Sequence, residues 1–135
     1  MEQTYVDGDG KEQTKQGLSY NPFLKTKLVG VLGSSFLKQP ATECKYRRLY
    51  DEYKHRLEHH EKYGIAKEAE RKAEAKKEGK RYAPVLHRHR MAMRYAVKIF
   101  VQDLWLAWRA IENLPITAPY HQAILGHDHH KDKVA

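Results

Sequence analysis

The stretch PVLHRHRMAMRYAVKIFVQDLWLAWRAIENLP (84–115) constrains the fold more than any other part of this chain. Met93, Val97, Phe100, Leu104, Trp108 and Ile111 recur at spacings of three and four, which places these large apolar side chains on one face of a helix. Pro84 near the start and Pro115 just beyond the end bracket that helix. A helix carrying such a stripe has to bury it, so the remaining segments are expected to supply further helices that cover it.

The first turns of the same helix differ in kind. His87, Arg88, His89, Arg90, Arg94 and Lys98 crowd cationic or protonatable groups there, although the helix's own partial charge is already positive at that end. Carboxylates would stabilise such a terminus and none is present. The front of the helix therefore reads as seeking an anion, phosphate foremost, and its back half reads as core.

The preceding segments fit a helical chain. Residues 1–20 hold Gly8, Gly10 and Gly17 among polar residues without a sustained period, an irregular arm with a short extended piece at 3–6. Asn21 followed by Pro22 is a sound helix start. Phe23, Leu24, Leu28, Val31, Leu32 and Phe36 then follow at helical spacing, and the helix should stop before Pro40. Gly30 and Gly33 each cost this helix about 1 kcal/mol relative to alanine, which close approach of a second helix would offset. Thr42 is a candidate cap for the next helix, with Tyr46, Leu49, Tyr50, Tyr53 and Leu57 as its apolar face. Residues 67–80, KEAERKAEAKKEGK, favour helix but offer only alanines for burial, so they form a protruding solvated helix or a poorly ordered insert. The expected architecture is all-α: three or four helices in a small irregular bundle, a protruding charged helical insert and flexible termini. Its parts are an arm at 1–20, a helical domain at 21–115 that includes the insert at 63–82, and a loop with a His-rich tail at 116–135.

Charge narrows the partners. Lys and Arg number 25 against 17 Asp and Glu, a formal net charge of +8, and such an excess favours a polyanion. By segment, 21–48 carries +5, 63–82 carries +3 and 83–98 carries +4, while 1–20, 49–62 and 99–135 are each slightly negative. Cys44 is the only cysteine, which rules out an internal disulfide and a cysteine-rich zinc module and suits a reducing compartment. With no basic start leading into an apolar run and no apolar stretch of about 18 residues, neither a secretory signal nor a membrane span is expected.

Two basic groups carry the functional reading. One is the helix front: His87, Arg88, Arg90, Arg94 and Lys98. The other is Lys25, Lys27, Arg47 and Arg48, from a stretch that also holds Lys38 and Lys45. Arginine suits phosphate because its planar fork donates two parallel hydrogen bonds, and the competing reading is a solvated basic face. Tyr46 and Tyr50 interleave with the second group, either as stacking platforms for unpaired bases or, with more weight, as part of a helix's apolar face. His121, His127, His129 and His130 match no ligand spacing, and His55 with His59 lacks a third ligand. Asp51 with Glu52 and Asp7 with Asp9 are the only carboxylate clusters suited to magnesium, and both have ordinary surface roles. Ser34 and Ser35 lie in the first helix with no base nearby, and no glycine-rich phosphate loop occurs. No catalytic and no metal-ligating residue is assigned.

The runs YNPFLKTKLVGVLGSSFLK (20–38), YRRLYDEYKHRLE (46–58), HRHRMAMRYAVKIFVQDLWLAWRAIENLP (87–115) and PYHQAILGH (119–127), in this order, resemble the C-terminal transposase domain of the bridge-RNA-guided insertion-sequence transposases. The resemblance implies a recombinase of double-stranded DNA. In such an enzyme a RuvC-like N-terminal domain with a DEDD carboxylate set and magnesium works with a nucleophilic serine of the C-terminal domain. This chain holds no RuvC-like half. Where the serine motif is expected it reads VDGDGKEQTKQG, with Ser19 the nearest hydroxyl.

The expectation is therefore a truncated or split transposase, cytoplasmic and nucleoid-associated, that binds duplex DNA and is not catalytically complete alone. It requires no cofactor of its own, magnesium belonging to the complete enzyme. Alternatives are a small basic RNA-binding protein, or a helical assembly module that pairs with itself or with a RuvC-like chain.

Overall fold

A computed structural model describes residues 2–118, 123 and 126. The chain is mostly helical, and it divides into two compact units, Met1–Val97 and Lys98–Ala135. In chain order the elements are β1 (Glu2–Val6), β2 (Glu12–Gln16), α1 (Pro22–Thr26), a π-helical segment (Lys27–Leu32), α2 (Gly33–Lys38), α3 (Lys45–Glu58), a 3-10 turn (Ile65–Lys67), α4 (Glu68–Lys77) and α5 (Pro84–Ile111). Because α1, the π segment and α2 run on without a break, there are four helical rods, as expected of a small all-α bundle.

The N-terminal arm is more ordered than its composition suggests. β1 and β2 pair antiparallel, from Glu2 opposite Gln16 to Val6 opposite Glu12. Asp7 closes the turn: its Oδ1 accepts from the amides of Asp9 and Lys11, at 3.0 and 3.1 Å, and its Oδ2 accepts from Gln13 Nε2 at 2.8 Å. Gly10 takes a positive φ of 79°, the left-handed residue of a three-residue hairpin loop. The DGDG run is thus hairpin punctuation. It was obscured because the flanking strands are exposed and lack apolar alternation.

Helix boundaries follow local chemistry. Asn21 Oδ1 accepts from the Leu24 amide at 3.1 Å with Pro22 in the first turn, and the rod ends at Lys38, ahead of Pro40. Within it Ser34 and Ser35 hydroxyls donate back to the carbonyls of Gly30 and Val31 at 2.5 and 3.0 Å, a competition for main-chain acceptors that accompanies the π segment. Thr42 does not cap α3. It lies in a turn, and α3 begins after Cys44, without a side-chain cap. Both α4 and α5 end in paired hydrogen bonds around a left-handed residue, Gly79 (φ 68°) and Asn113 (φ 53°).

The core of the first unit is built on the front half of α5. Ala92 and Ala96 are fully buried, and Met93 and Val97 nearly so. Gly33 of α2 comes so close to α5 that an added Cβ would collide with Met93 Sδ, so this glycine permits the approach, whereas Gly30 faces open space. From α3, Leu49, Tyr50 and Leu57 are buried, and Tyr53 stacks on Tyr95 with ring centroids 4.3 Å apart. Phe36 of α2 stacks on Tyr46 of α3 at 4.9 Å. Burying these apolar faces supplies the main stabilisation.

The charged insert forms the solvated helix α4, with no fully buried residue. It is nonetheless fixed to α5. Glu68 accepts from Arg88 Nη2, whose side chain is 5% exposed. Arg71 lies over the rings of Tyr63 and Tyr82, at 5.0 and 5.1 Å.

In the second unit the remainder of α5 leaves much of its apolar face open: Leu104 is 47%, Trp108 62% and Ile111 79% exposed. Reading the back of this helix as core is corrected here, since its exposed half is the back and its buried half the front. Among the described residues of this unit no second helix follows to cover it; Arg109 folds over Trp105 and donates through Nε to the Pro115 carbonyl at 2.7 Å. No helix among the described residues is long and apolar enough to cross a membrane.

Candidate nucleic-acid interface

The two basic groups meet in one cleft of the first unit. Lys25 from α1 and Arg90 and Arg94 from α5 line a cavity of about 340 Å³, with Val29, Gly30, Ser34, Leu37, Leu86, His89 and Met93 as the other walls. No carboxylate lines it. Arg90 and Arg94 lie one helical turn apart, so their side chains share a face. Both are exposed, and among the described residues neither forms an ion pair. Lys25 is exposed as well; its Nζ sits 4.5 Å from the Tyr20 ring centroid and donates to that tyrosine's hydroxyl at 3.2 Å.

The other sequence-predicted residues are placed differently. Lys27 is exposed, its ammonium 5.3 Å from the Phe23 ring. Arg48 is exposed and reaches the Thr42 carbonyl at 3.4 Å, a marginal bond that leaves its guanidinium largely open. Arg47 is engaged: its Nε donates to Asp51 Oδ2 at 2.8 Å and its Nη1 to the Leu37 carbonyl at 2.5 Å. Arg88 is withdrawn altogether. It is buried, donates to Glu68 and to the Tyr63 carbonyl at 3.1 Å, and clamps the insert to α5. Lys98 is exposed and belongs to the second unit.

His87 is not a cation either. Its ring packs between Tyr63 and Tyr82, with centroids 5.5 and 5.7 Å away. Burial, helped by the positive charges of Arg71, Arg94, Arg88 and Arg90, pushes its pKa below the usual histidine value, so the ring is neutral near pH 7. His89 lines the cleft and shares a 2.8 Å hydrogen bond between its Nδ1 and the Tyr50 hydroxyl.

Tyr46 and Tyr50 pack against Phe36 and His89, which is the apolar-face role. Asp7 and Asp51 spend their carboxylates on the hairpin turn and on Arg47. His55 and His59 lie close, with centroids 4.6 Å apart, but among the described residues no group of three or more potential ligands forms. His121, His127, His129 and His130 lie outside the described residues. Sequence reasoning missed the apolar walls Val29, Leu86 and Met93. The signal that was available is their spacing of three or four from Gly33, Arg90 and Arg94, which puts wall and cation on adjoining faces.

Comparison with protein-family models, with curated proteins and with solved structures finds no match.

Proposed function

We propose that this chain is an all-helical DNA-binding domain of an insertion-sequence transposase, of the bridge-RNA-guided kind that its sequence resembles. It grips phosphate through Lys25, Arg90 and Arg94, with Lys27 and Arg48 as further exposed cations of the same unit and Lys98 as one of the second. The observation that carries the reading is the cleft itself: the +5 and +4 segments, some 60 residues apart in the chain, contribute cations to one cavity free of carboxylates. A merely soluble basic surface would intersperse acidic partners. Arg47, Arg88 and His87 are assigned to the fold and not to the ligand.

Fluorescence anisotropy of a labelled duplex over a salt series tests it. Affinity should fall with a log–log slope of about −0.9 per phosphate neutralised, roughly −3 for the three cleft cations. No binding at any salt rejects the reading, and competition by a structured RNA that outcompetes duplex DNA turns it toward RNA.

A second reading, a helical assembly module, is favoured by one observation: Val101, Leu104, Trp105, Trp108 and Ile111 are all exposed on the back of α5. A dimer by sedimentation without nucleic acid supports it, and a monomer at high concentration rejects it.

A further inference from the structure

The cleft that holds Lys25, Arg90 and Arg94 carries a second chemistry beside its charge. Val29, Leu86 and Met93 give it apolar walls. Phosphate binding alone needs cations and backbone N–H groups, not an apolar wall. A duplex presents its phosphates on an outer ridge, with the bases stacked inside, and offers nothing to such a wall. A cavity of about 340 Å³ stands at the lower end of small-ligand sites, a size that takes one nucleotide and not a length of duplex.

We infer that the cleft receives one unpaired or extruded nucleotide of a bound nucleic acid, its base against Val29, Leu86 and Met93 and its phosphate against Arg90, Arg94 and Lys25. This rests on the nucleic-acid reading above. Removing a base from the stack costs least where it is already unpaired, which is why a bulged or displaced strand is the natural occupant. The guanidinium planes of Arg90 and Arg94 add faces on which a base stacks. His89 completes the site: with the Tyr50 hydroxyl donating to Nδ1, the neutral ring carries its proton on Nε2, a donor suited to an acceptor on a base edge.

The test compares a plain labelled duplex with the same duplex carrying a single-nucleotide bulge, by anisotropy, using the full chain. The wild-type protein should bind the bulged duplex roughly tenfold more tightly, the gain typical of one stacked base. Gly30→Leu adds a side chain where nothing lies within 4 Å of the added Cβ, and removes no charge. It should bring the bulged duplex to the affinity of the plain one and leave plain-duplex binding and its salt slope unchanged. Equal wild-type affinity for the two duplexes overturns the inference and leaves the DNA-binding reading standing, as does an unchanged preference in a Gly30→Leu protein with native circular dichroism. Binding to neither duplex at low salt overturns both.

Discussion

The two halves of α5 share a helix and a sequence pattern but not an environment. In the front half, Ala92, Met93, Ala96 and Val97 are buried and Arg88 is sealed into an ion pair; in the back half Leu104, Trp108 and Ile111 stay 47–79% exposed. The front looks polar in sequence and is core, whereas the back looks like core and is surface. Periodicity says which side chains share a face. It does not say whether another element covers that face.

Arg88 offers the largest effect with which to break this comparison. Arg88→Ala strands Glu68 and the Tyr63 carbonyl, and removing one partner of a buried pair costs about 3 kcal/mol. Urea denaturation measures it, and a loss below about 0.5 kcal/mol would mean that the pair is solvated after all. Next come matched insertions in the two halves. Ala96→Leu overpacks a fully buried position and should cost about 1–3 kcal/mol, while Ala107→Leu, at an exposed one, should stay within about 0.5 kcal/mol. Equal losses would erase the distinction.

Arg94→Gln sharpens the contrast between neighbouring arginines. It should leave the denaturation midpoint unchanged, weaken duplex binding several-fold at low salt and reduce the salt slope by about one. A large loss of stability would place Arg94 with Arg88, in the fold.

His87 gives the smallest effect, and its sign is determined. Its folded pKa lies below the ordinary value of 6.5, so the unfolded chain binds the proton more readily. Its contribution to stability is therefore complete above about pH 6.5 and is lost as the pH falls through that value toward the folded pKa. His87→Gln should flatten the fall in urea midpoint between about pH 7 and 5; an unchanged profile would show that the ring titrates freely.

Much of this fold is legible in the chain. Asn21–Pro22, Pro40, Gly79 and Pro84 mark where helices start and stop, because a missing N–H, a fixed φ or a left-handed residue acts locally. Leu49, Tyr50 and Leu57 show the buried face of α3 by spacing alone. The DGDG hairpin was hidden for the converse reason: its strands bury nothing, so no period announces them.

The candidate site was legible only in its charge. Net charge and its concentration in 21–48 and 83–98 are properties of composition, and they single out the cationic segments before any coordinates. Which cations remain available is decided by tertiary contacts. Glu68 lies 20 residues from Arg88 and neutralises it, Asp51 engages Arg47, and Tyr63 and Tyr82 desolvate His87, whereas Lys25 meets Arg90 and Arg94 across a cleft with no carboxylate in its lining. Local sequence determines where helices form because backbone preference and capping act within a few residues. Burial and pairing act between residues distant in the chain, so only the packed structure could separate the arginines that hold the fold from those left facing solvent.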